Sequence, residues 1–237
     1  MTSSSPKYEG ILPVCKPVCK TSFSLVSVLR KLTQIRTIGH AGTLDPFANG
    51  VMVLLIGKPY TKLSDRFLND DKAYRATIQL GVTTDSYDID GQITAENPYV
   101  PTLAEVQQAL LKFQGKILQT PPMFSAKKVE GKKLYELARK GITIERKAVP
   151  VDVRIELIEY SYPRLEINVE CSKGTYIRSL AYDIGIELTC GAHLSSLTRT
   201  RSGKFCLADC CDGAQLMESG YDWVRFLKKD THYAPYS

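Results

Sequence analysis

A lone carboxylate, Asp45, stands in the stretch GHAGTLDPFANGV, residues 39–51, among three glycines, beside Pro46 and just ahead of the apolar run Val51 to Ile56. Aspartate before proline has an ordinary use: its side chain bonds nearby backbone and proline fixes the next φ, which starts a turn. Gly39, Gly42 and Gly50 suggest a second use, because backbone without Cβ atoms lets another molecule come close. A loop built for close approach suggests a ligand. Another charge is awkwardly placed. The stretch CSKGTYIRSLAYDIG, residues 171–185, runs from a strand through Ser172, Lys173 and Gly174 into a helix, and it puts Arg178 in the first turn. A cation there opposes the helix dipole at a cost of about 0.3–1 kcal/mol. A nucleic-acid phosphate or a protein carboxylate nearby offsets that cost; the remaining alternative is a guanidinium left in solvent.

The elements that must position these groups follow from periodicity. Leu25, Val28, Leu29 and Leu32 predict an amphipathic helix over roughly 22–35, with Thr21 and Ser22 as candidate N-caps. Val51 to Ile56 reads as a buried strand, and Pro59 opens a short helix to about residue 68. Tyr74, Ala76, Ile78 and Leu80 alternate with polar residues, which points Tyr74 inward from a strand. Thr102 with Glu105 forms a capping box ahead of Leu103, Val106, Leu110 and Phe113. A third helix is expected near 132–140, then strands at about 149–160 and 165–171 and a helix at about 175–189 with Gly191 past its end. Strands at about 193–201 and 204–208 and one or two short helices complete the chain. No repeat or low-complexity linker interrupts this order. The reading is one mixed α/β (α+β) domain over residues 1–237, with its core at about 11–208 and a short helical tail at 209–237.

Composition narrows the chemistry. A chain of 237 residues buries most of its apolar surface without disulfides. Seven cysteines, an odd count with no CxxC pair, read as reduced thiols; a zinc site is disfavoured by CxxxC spacings and by only three histidines, His40, His193 and His232. The stretch SYDIDG, Ser86 to Gly91, starts like a calcium loop, yet Asn97 falls where the twelfth-position glutamate belongs. No metal is expected. The N-terminus MTSSSPKYEG lacks a signal-peptide core and no apolar stretch approaches the roughly 20 residues of a membrane span, so a soluble cytoplasmic protein with no membrane partner is expected. Phosphate-loop, dinucleotide, zinc-protease and serine-hydrolase signatures are absent, as is the H-x-E with P-C-x-x-C of zinc base deaminases. The net charge of +6 is uneven: between Lys112 and Ala148 there are ten basic residues and three acidic ones. That segment is either a solvated face or a phosphate-facing patch.

Five stretches together carry a family resemblance. GHAGTLDPFANGV resembles the catalytic-aspartate motif of the TruB family of tRNA pseudouridine synthases, and DKAYRATIQLGVTTDSYDIDG, TPPMFSAKKVEGKKLYELARKG, CSKGTYIRSLAYDIG and CGAHLSSLTRTRSG resemble its other blocks in order, over roughly residues 11–205. The resemblance implies a pseudouridine-synthase-like catalytic domain, with a central, mixed, largely antiparallel sheet flanked by helices. It implies isomerisation of uridine 55 in the T-loop of tRNA, without metal or organic cofactor. Asp45 becomes the catalytic carboxylate, His40 reaches the RNA beside the target, Tyr74 lies against the flipped base, and Tyr176 lines the pocket that Leu197 closes. Arg178 pairs with the aspartate, Asp88 sits in the loop after the Tyr74 strand, and Lys16 belongs to an N-terminal K-P block. The chain departs from the family in two places. Cys19 stands where glycine is usual, and the stretch after the last block is too short for the RNA-binding PUA domain that bacterial members usually carry.

This chemistry suits the residues. Burial raises a carboxylate's pKa, and a neighbouring guanidinium opposes the shift, so Arg178 is expected to keep Asp45 ionised. Lys16, Lys127, Lys128, Lys132 and Lys133 are expected to meet the RNA backbone, because clustered cations gain from counterion release. The expected partner is the T-arm of tRNA, bound by a monomer. Two other classes compete: an RNA-binding or tRNA-folding module without catalysis, and a nucleoside hydrolase that would not need the basic segment.

Overall fold

The structure, a computed structural model, describes residues 8–125, 128–129, 131–138 and 140–229. The chain divides into two compact units, one formed up to Tyr74 and from Thr198 onward, the other by Arg75–Leu197. The boundaries fall inside two strands, Lys72–Leu80 and Ala192–Ser202.

In the first unit the strand Asn49–Ile56 is central. It pairs antiparallel with Gly10–Lys16 and Ile38–Ala41, and in parallel with Thr198 and Arg199. Met52, Leu54 and Ile56 pack among Leu25, Val26 and Leu29 of the helix Ser22–Thr33 and against Trp223. Val51, Val53 and Leu55 pack among Ile11, Phe67 and Phe205. Both faces are therefore covered, which is why this run is apolar throughout rather than alternating. Thr21 is the helix N-cap, accepting from the Ser24 N–H, and Gln34 closes the helix in the left-handed region at φ 60. The expected helix after Pro59 is two short ones, Lys58–Thr61 and Ser64–Asn69, the second burying Phe67. The expected C-terminal helices are single 3₁₀ turns, Gln215–Met217 and Val224–Phe226, separated by Gly220 at φ 88. They follow the short strand Cys211–Asp212, parallel to Gly10–Lys16.

In the second unit Arg164–Cys171, Val149–Ser161 and Gly115–Gln119 form successive neighbours beyond the Lys72–Leu80 strand. Ala76, Ile78 and Leu80 are buried on one face of that strand, as the alternation predicts, while Tyr74 is half-buried. The Thr102–Glu105 capping box is formed at the head of Leu103–Leu111. The expected helix near 132–140 is shortened to Leu134–Ala138, because Gly131 at φ 80 reverses the chain and draws Lys132–Lys133 into a pair with Lys128–Val129. The helix Ile177–Glu187 ends against Ala192: a Cβ on Gly185 would lie 2.3 Å from the Ala192 nitrogen. The architecture is mixed α/β with a large mixed sheet and flanking helices, parallel at the Cys211–Asp212 and Thr198–Arg199 pairings and antiparallel along Gly10–Lys16 with Asn49–Ile56 and along Val149–Ser161 with both its neighbours. No helix among the described residues is long and apolar enough to cross a membrane.

Candidate active site

Asp45 is half-buried in the loop between Ile38–Ala41 and Asn49–Ile56. Its carbonyl accepts the Ala48 N–H at 3.2 Å, so the aspartate–proline pair does start a turn. That loop is tied down from several elements. The Ser22 hydroxyl donates to Leu44 O at 3.0 Å and accepts the Leu44 N–H at 2.9 Å. Pro46 O accepts from the Cys19 N–H at 2.9 Å and from Lys16 Nζ at 3.3 Å. Arg199, 1% exposed, donates from Nη2 to Gly42 O at 3.1 Å and from Nε to Val51 O at 2.6 Å. Gly50 lies at φ +105, and a Cβ there would fall 2.3 Å from Arg199 O, so only glycine allows the close parallel pairing. The outcome is a loop whose backbone is fixed around a carboxylate.

Lys16 corrects an expectation. It is 0% exposed, and its ammonium donates to Pro17 O at 2.9 Å and Lys20 O at 2.6 Å besides Pro46 O, which leaves it unavailable to an RNA phosphate. Its role is to clamp the Asp45 loop. Burial pushes its pKa down to about 8, with the Asp45 charge pulling the other way. At neutral pH it is mainly a cation beside Asp45. The folded pKa lies below the ordinary 10.5, so between about pH 8 and 10.5 the unfolded chain holds a proton that the folded chain has lost, and stability rises with pH. Unfolding by denaturant should show wild type gaining about 1–3 kcal/mol over Lys16→Met across that window; a flat difference would mean that Lys16 titrates normally. Next along this segment, Cys19 adopts φ 60, so the turn usual for glycine is formed with a Cβ in place, at a cost of about 1–2 kcal/mol.

His40 sits in the Ile38–Ala41 strand opposite Leu54. Burial lowers its pKa and the Arg199 cation lowers it further, so the ring is neutral near pH 7. Its Nδ1 is buried without a hydrogen-bond partner. Such a group costs about 1–3 kcal/mol until something satisfies it.

In the second unit Arg178 is buried in the first turn of Ile177–Glu187. The anion that offsets the helix dipole is a protein carboxylate: Asp88 Oδ2 lies 3.3 Å from Nη1, both side chains 7% exposed. The same guanidinium donates to Ser86 O at 3.3 Å and Phe124 O at 2.8 Å. Asp88 is itself fixed, accepting from Ser86 Oγ at 2.6 Å and the Asp90 N–H at 3.1 Å. These bonds hold the SYDIDG stretch in place, and no group of three or more metal-ligating residues forms among the described residues. Tyr176, half-buried, is the helix N-cap; its backbone is held by the buried Gln119 amide, which accepts its N–H at 2.8 Å and donates to its carbonyl at 3.1 Å. Leu197 is buried on the Ala192–Ser202 strand.

Comparison with known proteins places this arrangement. The family model described as TruB family pseudouridylate synthase (N terminal domain) matches residues 30–177, and that described as tRNA pseudouridylate synthase B C-terminal domain matches residues 178–230. The chain belongs to the TruB family. Among TruB relatives, a tRNA pseudouridine synthase B of Protochlamydia amoebophila (strain UWE25) is 60% identical over 90% of this chain and 82% of its own length. One of Chlamydia muridarum (strain MoPn / Nigg) is 54% identical over 96% of this chain and 95% of its own. Among solved structures, a chain of a Cbf5-Nop10-Gar1 complex aligns with a TM-score of 0.69 at 25% identity, covering 94% of this chain and 65% of that one.

Of the residues singled out in the sequence, the first unit gathers Lys16, His40 and Asp45 around one loop that Arg199 braces, and the second fastens Arg178 to Asp88 beside Tyr176. Arg199, Ser22 and Gln119 were missed as supports. Arg199 had a signal, since it shares the inward parity of Leu197 on its strand. Ser22 was read as a helix cap, and Gln119 carries no sequence signal. Of the basic segment, Lys127 lies outside the described residues, and the backbone of Lys128, Lys132 and Lys133 forms the short hairpin described above. Fifteen basic residues face fifteen acidic ones in Arg75–Leu197, whereas the other unit has sixteen against ten and carries the whole net charge of +6.

Proposed function

We propose that this chain is a tRNA pseudouridine synthase that isomerises uridine 55 in the T-loop, with Asp45 as nucleophile. The reading rests on a carboxylate held in a rigid glycine-rich loop beside a buried cation, in a chain 60% identical to a tRNA pseudouridine synthase B. The reaction breaks the C1′–N1 bond, turns the uracil and rejoins it through C5, which then loses its proton. One nucleophile that can form and release a covalent bond suffices for this exchange. The uridine must first leave its stack, at a cost of a few kcal/mol. Tyr74 and Tyr176 stack on it, returning about 1–3 kcal/mol per base. His40 meets the RNA beside the target, Leu197 closes over the base, and Arg178 serves Asp45 as its counter-charge. The enzyme works as a monomer in the cytoplasm, on the T-arm of tRNA.

Incubation with an unmodified tRNA transcript, followed by mapping of new pseudouridine, tests the reading. Conversion at the T-loop is expected; binding without conversion would favour an RNA-binding module instead. Lys127, Lys128, Lys132 and Lys133 are assigned to the tRNA backbone. Lys128 and Lys133 hold paired positions in their hairpin, and replacing both by glutamine should flatten the plot of log affinity against log salt by about 1.5–2. An unchanged slope would assign them to solvent.

A further inference from the structure

The unit that carries Asp45 also holds an open cavity of about 410 Å³ lined by Lys204, Phe205, Asp209, Lys228 and Lys229. None of these residues belongs to the sequence motifs or to the reaction. Their placement is fixed rather than incidental. Lys204 occupies a two-residue hairpin turn with Gly203, enclosed by the Ser202–Phe205 pair and entered at φ 55. Its ammonium lies 5.5 Å from the centroid of the Phe205 ring, which is buried and stacks on Phe67. Lys228 is held by two backbone hydrogen bonds to Ile11, at 2.9 and 2.8 Å, so its side chain and that of Lys229 start from pinned backbone. The one acid in the lining among the described residues, Asp209, is occupied: it accepts from Cys206 N–H at 2.9 Å and from Cys206 Sγ at 3.2 Å. Those bonds and the Lys228 charge hold its carboxyl below the usual range, so it stays a fixed negative charge among three cations.

We infer that this cavity is a second RNA contact, a seat for a backbone phosphodiester of the tRNA substrate away from the reacting uridine. Among the described residues, three lysines and one aspartate give the lining a net charge of +2, in the unit that carries the protein's whole positive excess. A cavity of this size takes one nucleotide-sized group. Lysine recognises phosphate as a point charge and needs no paired geometry, whereas base reading would need directed donors and acceptors that the lining lacks. The inference rests on the proposed action on tRNA.

The test compares wild type with the triple variant Lys204→Gln, Lys228→Gln, Lys229→Gln and with Asp209→Asn, which keeps the acceptor for the Cys206 N–H. All four residues lie at the surface or its margin, where substitutions disturb folding little. In the triple variant tRNA affinity should fall about tenfold, the salt slope should flatten by about 2, and kcat at saturating tRNA should hold. Asp209→Asn should shift affinity the opposite way, about threefold tighter, a sign that a purely structural change would not give. Unchanged affinity and slope in the triple variant, in a preparation whose wild type converts uridine, would overturn the cavity and leave the enzyme reading intact. Inorganic phosphate that binds the cavity while the tRNA slope stays unchanged would also overturn it, marking a small-anion site. A wild type that binds tRNA with the expected dependence on these lysines but makes no pseudouridine would overturn the enzyme reading alone.

Discussion

Asp45→Asn is expected to make no pseudouridine, with turnover down on the order of 10⁴-fold or more, while tRNA affinity stays within about threefold. The named tethers of the loop grip its backbone at Gly42, Leu44 and Pro46, so the amide variant keeps them. What it loses is the negative charge and the ability to form a covalent bond. The loss should also appear at a distance from the reaction: the Asp45 charge raises the Lys16 pKa, so in Asp45→Asn the ammonium should titrate below about 8. A stability profile displaced to lower pH, together with lost turnover and retained binding, identifies Asp45 as both nucleophile and electrostatic partner of Lys16. Appreciable turnover by this variant would refute the assignment.

The Asp45 loop was legible because its signals are local. Glycines at 39, 42 and 50 and a proline at 46 constrain the backbone wherever they stand, and the loop follows them. The same holds for the capping box at Thr102, which needs only its own four residues. Lys16 was misread for the opposite reason. A lysine beside a proline near the chain start looks solvated, and only the carbonyls of Pro17, Lys20 and Pro46 turned toward one point make burial affordable. The partner of Arg178 was half legible: the helix position demanded an anion, but Asp88 is 90 residues away in sequence and its acidity was first weighed as part of a calcium loop. Periodicity likewise could not show that Gly131 would turn the start of an expected helix into a hairpin, since helix and hairpin use the same lysines until the chain reverses.

Arg178→Ala is expected to destabilise the fold by about 3–5 kcal/mol, because it strands the Asp88 carboxylate in a buried site and leaves the Ser86 and Phe124 carbonyls without a donor. Asp88→Asn should cost less, since the amide still accepts the Ser86 hydroxyl and the Asp90 N–H while the guanidinium keeps its two carbonyls. Replacing both partners by apolar residues, Arg178→Met with Asp88→Leu, should recover most of the stability lost in Arg178→Ala, as removal of a whole buried pair often does. Stability and reaction then separate. If Arg178 serves only to neutralise Asp88, the double variant regains turnover along with its unfolding midpoint. If Arg178 also keeps Asp45 reactive, the double variant folds and binds tRNA yet stays slow by about 100-fold or more. Arg178→Lys sharpens the comparison, because it keeps the charge but cannot reach Asp88 and two carbonyls with one planar fork. Denaturant unfolding and single-turnover pseudouridine formation across pH 6–9 read the two effects independently.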